Sequence, residues 1–262
     1  MAKQKGIIKL KGTLNGLCYY KLNGEDIVRK AVGPSKERIN NDPAFIQVKG
    51  NNQEFAAAVY LTKSISIGLG SVAKAFKDSY MHSRLTGVCR KIIQKGEGTK
   101  GQREANLFND PESLIGFQLH KEKSFNQIRA LILDVTTNAE RNMVTITIQR
   151  HAHDKLKKYT KSDRQVVYTA VVGLVAPQNW NKTLETYEPM CAEQNGLGFT
   201  IESKVESLND QSQSIQLQVK TNMNIDSKVA LTVWLGMSLV ETTQNKQEAV
   251  QSHYGMQCIA VL

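Results

Sequence analysis

A chain of 262 residues, 40% of them hydrophobic, has apolar side chains enough for one large or two ordinary domains. Its four cysteines, Cys18, Cys89, Cys191 and Cys258, form no Cys-x-x-Cys pair, which argues against a disulfide framework or a zinc site and predicts four buried thiols. The net charge of +10 is uneven: residues 1–105 hold 19 Lys and Arg against 8 Asp and Glu, residues 106–262 hold 15 against 16, and within the latter 175–262 hold 5 against 9.

The chain opens with two Leu-Asn-Gly tripeptides eight residues apart. Asn15-Gly16 and Asn23-Gly24 supply the pairs of positive φ that type I′ hairpin turns require. They predict a three-stranded meander, with strands at Ile7–Lys11, Leu17–Lys21 and Ile27–Lys30. Leu17-Cys18-Tyr19-Tyr20 is apolar on both faces, so the middle strand calls for cover on both sides. Lys9, Lys11, Arg29 and Lys30 edge the outer strands, a charge pattern that protects exposed sheet edges.

Helical signals follow. Asp42 before Pro43 reads as a cap and first helical position, with a short helix to Lys49 and a break at Gly50-Asn51. A second helix is expected over Gln53–Ser66, ended by Gly68-Leu69-Gly70. Ser71 then caps a stretch running to Lys95, with a kink near Met81. Its second half places Leu85, Val88, Cys89, Ile92 and Ile93 on one buried stripe, bordered by Arg84, Lys91 and Lys95. Lys95–Glu104 reads as a flexible basic linker and marks the domain boundary, between residues 1–105 and 106–262.

Beyond it the period changes to two. Met143–Gln149, Phe199–Val205 and Ile215–Lys220 alternate apolar with polar, whereas Val166–Val172, Val229–Leu239 and Cys258–Leu262 are apolar on both faces and suit central strands. With Ile128–Val135 they make about seven strands joined by turn-rich links such as Asn209-Asp210-Gln211-Ser212. The fold class expected is α+β: a β-meander and helical segment followed by a mostly antiparallel β-sandwich.

No stretch approaches the ~18 apolar residues of a membrane span, and the N-terminus lacks a secretory apolar core. Synthesis for the cytoplasm is therefore expected, with lysis or signal-independent export as routes outward. His151-Ala152-His153-Asp154 could turn two imidazoles to one side of a strand. It lies where a strand is ending, without further ligands nearby, and reads as polar surface residues at a strand terminus, so no metal site is assigned. Gly96–Gly101 has glycines, but its Lys100 precedes the last of them and no strand leads in, unlike a phosphate-binding loop. There is no Gly-x-Ser-x-Gly elbow and no recognisable pair of catalytic carboxylates. Trp180 and Trp234 read as core or interface anchors. No cofactor, small-molecule substrate or catalytic residue is assigned.

The segments "MAKQKGIIKLKGTLNGLCYYK", "RINNDPAF" and "NNQEFAAA" resemble the opening of an uncharacterised family of Bacteroidota proteins of about this length, with a KGIIKLKGT-type start, a Tyr-containing strand and an Asn-Asp-Pro-x-Phe helix start. The resemblance covers roughly the first 55 residues. It implies a shared architecture and a bacterial or phage-associated setting, and transfers no functional residue.

A meander standing alone is marginal and must dock on something. The leading expectation is a non-enzymatic structural subunit that polymerises with its own kind into a tube, sheath, fibre or shell. Its contact element would be Ile7, Ile8, Leu10, Leu17, Tyr19, Tyr20 and Ile27, with the two tyrosines as buried anchors. An acidic partner would meet Lys9, Lys11, Arg29, Lys30, Arg84, Lys91, Lys95, Lys100 and Arg103. The alternative is sequence-independent nucleic-acid binding by the same basic residues within 1–105. The 6% aromatic content speaks against base stacking. An enzyme with a site built from distant residues ranks third.

Overall fold

Both Asn-Gly pairs turn where the sequence places them. Asn15 and Gly16 have φ of 47° and 76°, Asn23 and Gly24 of 50° and 85°, the two consecutive positive angles of type I′ turns. The computed structural model describes residues 2–31, 33–123, 131–149, 165–207, 214–243 and 246–262. It separates into two compact units, Met1–Lys49 and Gly50–Leu262. The division falls at the start of a long helix, not at the glycine-rich loop 95–104 where composition suggests a boundary.

In the first unit, β1 (Ala2–Lys3), β2 (Gly12–Leu14), β3 (Leu17–Leu22) and β4 (Glu25–Lys30) form an antiparallel sheet in the order β1-β4-β3-β2. The expected first strand at Ile7–Lys11 is not one. The Gln4 side chain clasps that stretch into a loop: its Oε1 accepts from the Leu10 amide at 2.9 Å, and its Nε2 reaches the carbonyls of Leu10 and Ile27, both at 3.3 Å. α1 (Lys36–Asn41), which period analysis misses, is capped by Ser35, whose hydroxyl accepts from the Arg38 amide at 3.2 Å. Asp42 caps a single 3-10 turn, Pro43–Phe45, by accepting from the Ala44 amide at 3.0 Å.

The helix that follows, α2 (Ile46–Leu69), runs unbroken through Gly50-Asn51, contrary to the expected break. Gly50 is there for contact, not for a turn: a Cβ built on Gly101 would lie 2.7 Å from the Gly50 Cα. The predicted stop does hold. Gly70 has φ of 56° and its amide returns to the Ile67 carbonyl at 2.9 Å, a left-handed C-terminal cap. The expected single stretch from Ser71 is two helices, α3 (Val72–Phe76) and α4 (Met81–Gln94), and Ser71 makes no side-chain capping bond. On α4, Leu85, Cys89, Ile92 and Ile93 are fully buried as the spacing predicts, with Val88 half-buried.

β7 (Gln165–Val175), β13 (Ala230–Thr243) and β14 (Lys246–Val261), with β10 (Gly198–Glu202) and β11 (Glu206–Ser207) on the β7 side, form a five-stranded antiparallel sheet ordered β10-β7-β13-β14. β5 (Ile132–Thr137), β6 (Met143–Gln149) and β12 (Ile215–Lys220) form a three-stranded sheet. A small hairpin, β8 (Gln178–Asn181) with β9 (Thr186–Pro189), stands apart. The two larger sheets pack face to face through Val144, Ile146, Ile148, Leu217 and Val219 against alternate residues of β7 and β13. The opposite face of the five-stranded sheet carries Val171, Val175, Trp234, Met256 and Cys258 against α2, α3 and α4. The unit is thus an antiparallel sandwich with helices behind one sheet. That layering explains why β7 and β13 are apolar on both faces: each lies at the centre of the middle layer.

One row of small residues sets the distance between helix and sheet. Gly198, Gly173 and Thr232 are cross-strand neighbours on β10, β7 and β13, and Gly68 of α2 rests on them. The edge of β14 is closed by residues 116–119, which exchange backbone bonds with Met256 and Cys258 at 2.8–3.0 Å. The His151–Asp154 cluster, Asn209–Ser212 and the first residues of Ile128–Val135 lie outside the described residues.

Candidate assembly interface

The first unit has almost no interior. Among its described residues Ile27 alone is buried, at 6% exposure, so this member of the expected contact set is spent inside the sheet and does not face a partner. Tyr20 and Tyr19 pair across β4 with Ile27 and Val28 and are half-buried within the single chain. The Arg29 guanidinium lies 5.6 Å from the centre of the Tyr20 ring. Most of the remaining aliphatic residues of the sheet and its loop face out. Ile7 is 103% exposed and Ile8 81%, with Leu10, Leu14, Leu17 and Leu22 also exposed. The Gln4 clasp makes this a held projection, because Lys9 Nζ also donates to the Gln4 carbonyl and the loop base is tied to Asp26 through the Gln4 amide at 2.8 Å. Lys11, Arg29 and Lys30 are exposed, and Met1–Lys49 carries ten Lys and Arg against four Asp and Glu.

The basic residues of the second unit are placed otherwise. Arg84 donates to the carbonyls of Gln118 and Leu119 and to Asp78 Oδ2, all at 2.9 Å, and stacks over Phe117 at 5.0 Å. It ties α4 to the segment covering the β14 edge. Lys95 pairs with Asp110 at 2.7 Å. Arg103 pairs with Glu54 at 2.9 Å. Lys91 and Lys100 are exposed. Arg84, Lys95 and Arg103 are therefore occupied by partners within the second unit. Alternation and spacing cannot reveal this, because most of the groups they meet, such as the Leu119 carbonyl for Arg84 and Glu54 for Arg103, are distant in sequence.

Burial acts to raise the Asp78 carboxyl, but the amides of Lys121 and Tyr80 and the charge of Arg84 outweigh it and hold the group below its usual value of 3.8. A group depressed in the fold stabilises above its unfolded value, and loses that contribution as pH falls through the folded one. Asp78→Asn should accordingly lower stability at pH 7 while flattening the loss of stability below pH ~4, read from urea midpoints across pH. Asp110 is likewise held down, by Lys95 and by the Ser113 hydroxyl.

The loop 95–104 is not a flexible linker. Glu54, 1% exposed, accepts from the Gly101 amide at 3.1 Å as well as from Arg103. The Tyr187 hydroxyl reaches the carbonyls of Gly101 and Arg103 at 3.1 and 2.9 Å, and burial together with the Glu54 charge pushes its pKa up to about 12. Trp180 packs edge-on against Tyr187, with ring centres 5.3 Å apart. Between this loop and the β8–β9 hairpin lies an open groove of about 260 Å³, lined by Glu97, Gln102, Glu104, Asn179, Trp180 and Lys182. A larger open seam, about 620 Å³, separates β10 from β12 and is lined mainly by Thr200, Ile201, Gln216 and Gln218.

Of the thiols, Cys89 and Cys258 are buried, whereas Cys18 and Cys191 are half-buried, so the expectation of four buried cysteines holds for two. Burial pushes the Cys89 thiol up to about 12 and raises Cys258 as well, which makes both inert packing groups. Among the described residues no group of three or more His, Cys, Asp or Glu is placed to hold a metal ion. No described helix is long and apolar enough to cross a membrane.

These features define an α+β protein with a helix-backed antiparallel sandwich and a coreless, basic N-terminal sheet. No protein-family model matches the chain, and no curated protein or solved structure matches it either.

Proposed function

We propose that the chain is a non-enzymatic structural subunit that assembles with copies of itself, through its N-terminal sheet, into a tube, sheath, fibre or shell. The N-terminal resemblance adds a bacterial or phage-associated setting to this reading. The observation that carries it is the four-stranded sheet of Met1–Lys49 with one buried side chain and Ile7 and Ile8 projected into solvent. Burying a single isoleucine contributes about 1.5–3 kcal/mol, whereas fixing each backbone residue costs about 1–2 kcal/mol. The sheet needs apolar cover, and a repeated subunit supplies it at every copy. Clustered exposed aliphatic residues are what an interaction surface looks like.

Contact between this sheet and a different surface of the next molecule is heterologous, and such contacts propagate into rings or filaments. Negative-stain microscopy and sedimentation of the full chain test the reading. Wild type should form particles or filaments as concentration rises, and Ile7→Asp/Ile8→Asp, altered only at exposed positions, should remain monomeric. A wild-type chain that stays monodisperse at high concentration and moderate salt ends the proposal. The nucleic-acid reading is weaker, since Arg84, Lys95 and Arg103 already have partners within the fold.

A further inference from the structure

Resting on the self-assembly reading, we infer that the groove walled by Trp180, Glu97 and Glu104 is the seat of the Ile7–Ile8 loop of a second copy. The two surfaces complement one another. The loop presents two adjacent aliphatic side chains, 103% and 81% exposed, with Lys5 and Lys11 on either side. The groove offers the Trp180 ring as its apolar wall and two carboxylates against one ammonium, that of Lys182. Glu97 is exposed and has no ion pair among the described residues. A cationic, aliphatic loop meeting an anionic wall with an aromatic floor joins charge attraction to apolar burial, the pairing that sets register between partners.

Both sides are held in shape before they meet. Gln4 pins the base of the loop through paired bonds to Leu10. On the other side, Tyr187 supports Trp180 and bonds the carbonyls of Gly101 and Arg103, while Glu54 fastens the same loop from within α2. Preorganisation of this kind lowers the ordering cost of association. The buried Glu54–Arg103 pair thereby gains a purpose beyond stability: it fixes the loop on which Glu97 and Glu104 sit.

Charge reversal on each side separately, followed by mixing, tests the seat. One variant is Lys5→Glu/Lys11→Glu and the other Glu97→Lys/Glu104→Lys. Glu97→Lys alone serves as a milder second version, because Glu104 is half-buried. At low salt each variant by itself should need about tenfold more protein than wild type to sediment as assemblies. An equimolar mixture of the two double variants should assemble near the wild-type concentration, because every junction between unlike copies then joins opposite charges. Recovery on mixing demands contact between molecules; a loop seated in its own chain's groove would give none. If wild type assembles but the Glu97 and Glu104 variants assemble equally well, the seat is elsewhere, with the β10–β12 seam next to be tested. If wild type never assembles, the self-assembly reading itself falls.

Discussion

Gly198→Ala is expected to cost about 3 kcal/mol or more, among the largest effects of any single methyl group in this chain. The alanine Cβ would lie 1.8 Å from the Gly68 carbonyl oxygen and 2.7 Å from its carbon. Neither atom belongs to a side chain that could rotate away. Relief requires the end of α2 to lift from the sheet, which opens space beneath Ile65 and Leu69, both in the helix–sheet core. The backbone angle of Gly198 is not the issue, as it sits in an ordinary extended strand. A control is available on α4, where a Cβ on Gly87 meets nothing within 4 Å. Gly87→Ala should stabilise by about 1 kcal/mol, since alanine is the better helix former. Urea midpoints of the two variants should therefore move in opposite directions. A Gly198→Ala protein as stable as wild type would show that the helix does not rest on the sheet backbone.

Arg103→Ala is the second large effect, expected at about 3–5 kcal/mol, towards the lower end because the arginine side chain is 26% exposed. The penalty comes from what remains. The Glu54 carboxyl, 1% exposed, loses its arginine partner in an apolar setting and is left with the Gly101 amide. Removing both charges together, as Glu54→Leu/Arg103→Met, should recover most of the loss. It should not recover all of it, because the Gly101 amide then has no acceptor. Greater stability of the single variant than of the double would contradict this account. The same single variant should also weaken assembly, as the loop bearing Glu97 and Glu104 loosens.

Much of this chain is legible without coordinates wherever one residue type has one physical use. Asn-Gly between apolar runs means a type I′ turn, and both occur. The stripe from Leu85 to Ile93 means a buried helix face, and Leu85, Cys89, Ile92 and Ile93 are buried. Strict alternation at Val144, Ile146 and Ile148 means a sheet with one covered face, and those residues form one wall of the sandwich core. Runs apolar on both faces mean central strands, and β7 and β13 lie between two layers.

Glycine and charge defeated the same approach. Gly50 looks like a helix breaker and is a contact point against Gly101. Gly-rich 95–104 looks like a linker and is a clamped wall of a groove. Arg84, Lys95 and Arg103 look like surface cations and hold internal partners.

By itself the sequence determined the α+β class, the hairpins, the buried faces and the unequal distribution of charge. Each of these depends on local backbone preference or on the period of apolar residues, both written in neighbouring positions. Only the tertiary structure decided which glycines are turns and which are contacts, where Ile7 and Ile8 point, which cations are already taken, and that a groove forms between a loop and a hairpin some eighty residues apart. Those outcomes depend on long-range juxtaposition, which burial of the two cores imposes and no short window of sequence contains.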